Sequence, residues 1–252
     1  MTDSALITAA RQLSSEVARL RFSLPVTHVY NPLDYAWAPH EAYLRRFGAA
    51  TGRVVFLGMN PGPYGMMQTG VPFGEVAAVR DWMGIHEPVA RPASEHPKRA
   101  IEGFACTRSE VSGRRLWGWA QARFGSAAAF FERGFVLNYC PLVFLEASGR
   151  NFTPDKLPAA EAAALRRACD AHLAQALVAL APAWAIGVGG FALKRLQAVM
   201  EAAPSTLSAP ERNRLSALRI GQILHPSPAS PAANRGWPQA VDSTLSQLGV
   251  FE

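Results

Sequence analysis

Leu6, Ala9, Leu13, Val17 and Leu20 recur at helical spacing behind the cap candidates Thr2, Asp3 and Ser4, which predicts a first helix. Pro39 opens a second, shorter pattern at the position where a helix tolerates proline best. The period then changes. Arg53-Val54-Val55-Phe56-Leu57-Gly58 is a short β-branched and aromatic run ended by glycine, the pattern of a buried strand. Gly134–Asn138, Ala183–Val188 and Ile220–Leu224 have the same character. Helical patterns fall over Ser112–Phe124, Ala159–Leu180, Phe191–Glu201 and Gln239–Leu248, and a polar connection runs around Ser205–Arg214. Strands alternating with helices predict an α/β fold: an open, mostly parallel sheet covered on both faces, with residues 1–252 as one domain. No internal repeat is evident. Met83–Gly113 is rich in Pro, His and Arg without periodicity, and a connection of that length inside a compact domain is often functional.

Composition narrows the setting. The apolar share of 49% supports a sizeable core. The longest apolar run, Ala171 to Val188, is interrupted by Gln175 and Pro182, so no membrane span is expected. Asp3 and Glu16 do not suit a secretory signal, and the expected location is the cytoplasm. Three scattered cysteines, Cys106, Cys140 and Cys169, cannot make a four-cysteine metal site, and neither metal nor cofactor is expected. The formal charge of +6 favours a polyanionic partner. Arg80, Arg91, Lys98, Arg99, Arg108, Arg114, Arg115 and Arg123 crowd one third of the chain, which suits either a phosphate-tracking surface or a solvated face.

In open α/β sheets ligands bind beyond the carboxyl ends of the strands, so the turns there are the places to look for chemistry. They read Gly58-Met59-Asn60-Pro61-Gly62-Pro63, Asn138-Tyr139-Cys140-Pro141-Leu142, Gly187-Val188-Gly189-Gly190 and His225-Pro226-Ser227-Pro228. The stretch Gly58–Gly74 holds five glycines and three prolines, a stiff loop that lets its backbone approach a ligand closely. It is neither a Walker A loop nor G-x-G-x-x-G, and no G-x-S-x-G is present for a nucleophile-elbow hydrolase. Taken singly, Asn60 and Asn138 also read as turn formers, Phe73 as core, His225 as polar surface and Gly187–Gly190 as a structural turn. His28, His40, His86 and His172 take structural readings, and His96 is a candidate for a phosphate contact.

Gly58-Met59-Asn60-Pro61-Gly62-Pro63 followed by Gln68-Thr69-Gly70-Val71-Pro72-Phe73-Gly74-Glu75 resembles the first motif of the single-strand-selective monofunctional uracil-DNA glycosylases. His225-Pro226-Ser227-Pro228, with Pro231, Ala233-Asn234 and Gly236-Trp237, is similar to their second motif and DNA-inserting loop. Asn138–Leu142, Ser148-Gly149-Arg150-Asn151 and His96-Pro97-Lys98-Arg99 match as well, and the likeness runs from about residue 25 to 250 in the same motif order.

The resemblance implies a four-stranded parallel sheet flanked by helices, and removal of uracil and 5-hydroxymethyluracil from single- and double-stranded DNA. Its expected partner is DNA containing uracil or an oxidised pyrimidine, with hand-off of the abasic product to an AP endonuclease. Asn60 would hold the attacking water, and His225 would stabilise charge growing on O2 of the departing base. Asn138 would read N3–H and O4, Phe73 would stack on the base, and backbone around Gly62 and Met66 would line its C5 side. Pro226, Ser227, Pro228, Ala229, Ser230 and Asn234 would form the wedge, and Lys98 and Arg99 would meet DNA. The family often carries a bulky or basic wedge tip; Ala229 and Ser230 are small, which predicts weaker reliance on insertion. No lysine stands in these motifs to form a Schiff base, so no lyase step is expected. Two alternatives stay open: a glycosylase of the same fold for deaminated purines, and a silent damaged-DNA binder.

Overall fold

The computed structural model describes residues 4–202 and 207–251, so the cap candidates Thr2 and Asp3, and Ser205 of the polar connection, lie outside the described residues. The chain opens with helix α1 (Ala5–Val17), capped by Ser4, whose side chain accepts from the Ile7 N–H. Strand β1 (Val26–Tyr30), helix α2 (Pro32–Tyr35) and helix α3 (Trp37–Phe47) follow, and Pro39 falls inside the first turn of α3. Then come β2 (Val54–Gly58), α4 (Met66–Thr69), α5 (Val111–Phe124), α6 (Ala127–Arg133) and β3 (Gly134–Asn138). Short strands β4 (Val143–Glu146) and β5 (Asn151–Phe152) precede the long helix α7 (Ala159–Leu180). The rest alternates: β6 (Trp184–Val188), α8 (Gly190–Ala202), α9 (Ala209–Ser216), β7 (Arg219–Ile223), α10 (Pro231–Asn234) and α11 (Trp237–Gln247).

The main sheet is four-stranded and wholly parallel, in the order β3-β2-β6-β7. The inner strand β2 and the edge strand β3 are buried at every position, as strands covered on both faces must be. Helices flank it: α1 packs on α7, and α5 packs on α6 and α11. Register sets up the site. Gly58 lies opposite Asn138, and Val188 opposite Ile223, so Asn60, Asn138 and His225 all emerge at the carboxyl end of the sheet. That end is where an open α/β sheet leaves a crevice.

Three elements differ from the expectation. β1, β4 and β5 form a second, antiparallel sheet in the order β1-β4-β5, with Tyr30 opposite Val143. β4 follows β3 after only four residues, so its apolar run reads as part of the same turn. A helix, α9, stands within the polar connection; the Glu211 carboxylate accepts from the Ser208 N–H at 2.7 Å, half of a capping box. The aperiodic Met83–Gly113 segment is held from inside instead of by its own pattern. Gln68, only 1% exposed, accepts from the N–H groups of Glu102 and Gly103 and donates to the Ala100 carbonyl. Among the described residues no helix is long and apolar enough to cross a membrane.

Candidate active site

The loop after β2 is fitted around its neighbours. A Cβ on Gly58 would lie 2.4 Å from Asn138 Oδ1 and 2.5 Å from the Phe73 ring, so only glycine lets both side chains close over the strand end. Gly70 ends α4 in the left-handed conformation, and its carbonyl accepts from His40 Nδ1 at 2.8 Å. Phe73 sits at φ 53°, a conformation costing a residue with a side chain about 1–2 kcal/mol. Two contacts hold it there. Its carbonyl accepts from Trp117 Nε1 at 3.0 Å, and Gly113 of α5 presses so close that a Cβ would stand 2.0 Å from that oxygen.

Asn138 closes β3 and is 8% exposed. Its Nδ2 donates to Met66 Sδ at 3.3 Å, while its Oδ1 is buried with no partner. A buried acceptor left unpaired costs about 1–3 kcal/mol, which a ligand N–H would relieve. Asn60 is fixed from the other end: its Nδ2 donates to the Leu142 carbonyl at 3.2 Å, leaving Oδ1 to accept from a water or ligand. The two turns are zipped together, since Tyr139 N–H donates to Gly58 O and Cys140 N–H to Met59 O.

His225 follows β7. Its Nδ1 accepts from the Ser227 N–H at 3.1 Å, so the neutral ring carries its proton on Nε2, as a donor. Burial holds its pKa below the ordinary imidazole range, which keeps the ring neutral at pH 7. Gly189, at φ 90°, makes room behind it, since a Cβ there would lie 3.1 Å from His225 Cβ. The following loop is clamped by Arg115 of α5, which donates to the carbonyls of Pro226 and Ser227 and to Asn234 Oδ1.

These groups share one cleft of about 280 Å³, lined by Asn60, Gly62, Phe73, Asn138, His225, Ser227 and Pro228 of the expected residues. Phe73 and His225 stand with ring centroids 6.2 Å apart. Met66 lies beneath the cleft, not in its wall, and reaches it through Asn138. Pro226 is buried and lends the second loop its shape, whereas Pro228, Ala229 and Asn234 are exposed and Ser230 caps α10. Lys98 is exposed; Arg99 is half-buried, donating to Gly149 O at 2.6 Å and to the Tyr64 hydroxyl. His96 does not face a phosphate. It is buried, with Nε2 against the Ala147 carbonyl and Nδ1 accepting from the Lys98 N–H.

The basic crowd is partly spent internally as well. Arg80 pairs with Asp81, Arg91 with Glu95 and Arg123 with Asp242, while Arg115 holds the loop. Three lining residues escaped the motif reading, Glu110, Ser112 and Thr153, whereas Asn151 closes the matched Ser148–Asn151 stretch. For Glu110 the available signal was a Ser109-Glu110-Val111-Ser112-Gly113 helix start, a capping pattern with a glycine one turn in. No group of three or more His, Cys, Asp or Glu among the described residues could hold a metal ion.

A four-stranded parallel sheet whose stiff turns converge on one amide- and imidazole-lined cleft defines a glycosylase of the uracil-excising kind, and a family model described as uracil DNA glycosylase superfamily matches residues 45–248. The chain is 45% identical over 240 residues to the single-strand selective monofunctional uracil DNA glycosylase of Mus musculus and to that of Rattus norvegicus. In each case 95% of this chain and 82% of the relative are covered. The Bos taurus counterpart is 44% identical, with 95% of this chain and 84% of its own length covered. A crystal structure of wild-type SMUG2 from Pedobacter heparinus shares the fold, with a TM-score of 0.64 at 17% identity over 96% of this chain and 97% of that one. The chain belongs to the single-strand selective monofunctional uracil-DNA glycosylases.

Proposed function

We propose that this protein is a monofunctional DNA glycosylase that hydrolyses the N-glycosidic bond of uracil and 5-hydroxymethyluracil in single- and double-stranded DNA. The carrying observation is the unpaired, buried Asn138 Oδ1 in the same cleft as a neutral His225 whose free proton is on Nε2. The base leaves the stack, at a cost of a few kcal/mol that is lowest in single strands, and lies against Phe73. Asn138 Oδ1 accepts from N3–H, and its Nδ2 has a second hydrogen for O4. Cytosine offers the reverse pattern there and would leave both buried groups opposed.

Bond breaking separates charge: the sugar becomes oxocarbenium-like while the electron pair of the C1′–N1 bond passes to the base. His225 Nε2–H stabilises the negative charge at O2. Asn60 Oδ1 accepts from a water and aims it at C1′. The water's proton goes to solvent, because an amide cannot take it; catalysis therefore rests on leaving-group stabilisation and positioning. Among the described residues no lysine lines the cleft, and the reading carries no lyase step: the abasic product passes to an AP endonuclease in the cytoplasm. The small tip Pro228-Ala229 fills little of the gap in a duplex, which favours single strands.

The test is excision from oligonucleotides carrying uracil, 5-hydroxymethyluracil, thymine, cytosine or hypoxanthine, single-stranded and paired. The expected result is release of the first two and none of the others, faster from single strands. Preferential release of hypoxanthine would replace this reading with the deaminated-purine one, and binding without release with the silent binder.

A further inference from the structure

The cations that are not consumed inside the protein collect at the mouth of the cleft. Three segments each put one residue in the cleft wall and a cation, or the group that holds one, beside it. Pro63 is followed by Tyr64, Glu110 stands two positions after Arg108, and Asn151 is preceded by Arg150. Arg108 and Arg150 are exposed, as is Lys98, whose Cβ lies 3.2 Å from the place of a Cβ on Gly149. Two of these cations meet. Arg99 and Arg108 both donate through Nη1 to the Tyr64 hydroxyl, and their guanidinium carbons stand 5.5 and 4.9 Å from the centre of its ring. Arg99 is anchored a second time, through Nε to the Gly149 carbonyl at 2.6 Å.

No carboxylate balances this charge. Among the described residues none of Lys98, Arg99, Arg108 and Arg150 forms an ion pair, in contrast to Arg80, Arg91 and Arg123. The acids of the same segments are engaged elsewhere: Glu95 pairs with Arg91 and accepts from the Ile101 N–H, and Glu110 accepts from the backbone N–H groups of Ser112 and Tyr64. Two guanidinium groups drawn to one neutral oxygen repel each other, so an anion completes the arrangement and the phenol does not. Donors are left for it. With the hydroxyl oxygen accepting from both arginines, its own hydrogen is free to point outward beside the unused N–H groups of the two forks. We infer that Arg99, Arg108 and the Tyr64 hydroxyl form a phosphate site at the mouth of the cleft, which takes one backbone phosphate of the DNA strand beside the target nucleotide. The choice of a strand over free phosphate rests on the function proposed above; the strand's backbone offers charged acceptors and no donor, the complement of this cluster.

Binding of an undamaged single-stranded oligonucleotide is titrated against salt for the parent protein, Arg108→Gln and Arg123→Gln. Each phosphate neutralised in a single strand contributes about 0.7 to the slope of log K on log salt. Arg108→Gln should lower the slope by about that much, and Arg123→Gln, whose arginine is spent on Asp242, should leave it unchanged. The phosphate is then located with oligonucleotides that carry an uncleavable deoxyuridine analogue and a neutral methylphosphonate at one linkage at a time. One linkage beside the analogue should cost the parent at least ~10-fold in affinity and Arg108→Gln nothing further, the mark of a shared contact. An unchanged slope, or a methylphosphonate penalty equal in both proteins at every linkage, overturns the inference. Inorganic phosphate that raises the melting temperature of the parent but not of Arg108→Gln, with the slope unchanged, would make this a site for the free anion and overturns it equally. Uracil release judges the function separately. A parent protein that releases uracil but shows no coupled linkage loses only the phosphate site; one that shows the coupled linkage and releases nothing keeps the site and fails as a glycosylase.

Discussion

The two loops that make the cleft are built on different plans. In the loop after β2, Gly65 to Pro72 are buried without exception, and Gln68, Thr69 and Gly70 each hold a hydrogen bond to a neighbour in chain or space. The loop after β7 stands outside. Pro228, Ala229 and Asn234 are exposed, and the segment depends on Arg115 and on an Asn234 Nδ2 bond to the Pro228 carbonyl at 2.9 Å. On the proposed function the first loop would meet the base with geometry fixed before DNA arrives, whereas the second, a surface arm, would adapt to the strand. Preorganisation is concentrated where chemical discrimination is needed.

On the proposed function each loop supplies one group to the transition state, so the largest expected effects fall on each. Asn60→Ala and His225→Ala should each lower single-turnover uracil excision by at least ~10² while DNA affinity is kept, as loss of a transition-state contact does. Gly58→Ala should cost about 10² as well, because its methyl must displace Asn138 or Phe73 and a shift of that kind near reacting groups is felt strongly. The same change at Ala229, in the form Ala229→Ser, should leave excision nearly untouched; equal losses at the two positions would erase the distinction between the loops.

Acid should loosen the inner loop. His40, which bonds Gly70, and His172 are both buried with pKa values lowered to about 4. Each is depressed below its unfolded value near 6.5, so the folded state loses stability as pH falls from about 6.5 towards 4, on the order of 2 kcal/mol per histidine by pH 5. Melting temperatures at pH 7.5 and 5 check this, and His172→Leu should remove its share of the drop. Smallest is Arg115→Ala. Freeing the second loop should reduce duplex excision roughly tenfold, and single-strand excision less, since about 1.4 kcal/mol is what a charged hydrogen-bonding group contributes here.

Much of this layout is readable along the chain, for identifiable reasons. Strands β2, β3 and β6 announce themselves because strands covered on both faces are apolar runs, as in Val54–Gly58, whereas the mostly uncovered β7 shows only through Ile220, Ile223 and the turn after it. Asn60, Asn138 and His225 are found because each follows such a run within a Pro- or Gly-stiffened turn. The antiparallel sheet escapes because β1 is covered only at its ends, β5 is two residues long, and the buried β4 follows β3 so closely that it reads as part of the same turn. Glu110 escapes for another reason: its place in the cleft wall depends on the absence of side chains at Gly62 and Gly65, a contact across about fifty positions that no local pattern records. The arginines mislead because composition counts charges and cannot tell Arg115, turned in upon carbonyls, from an arginine left in solvent.

The central claim, a neutral imidazole presenting Nε2–H to the departing base, can be read from ¹⁵N resonances of His225 in the free protein and in complex with DNA carrying an uncleavable deoxyuridine analogue. At pH 7 the prediction is a protonated Nε2 and a bare Nδ1 in the free protein, with the Nε2–H resonance moving to the position of a strong hydrogen bond in the complex. A proton on Nδ1, or an Nε2 resonance that DNA leaves unmoved, would contradict it.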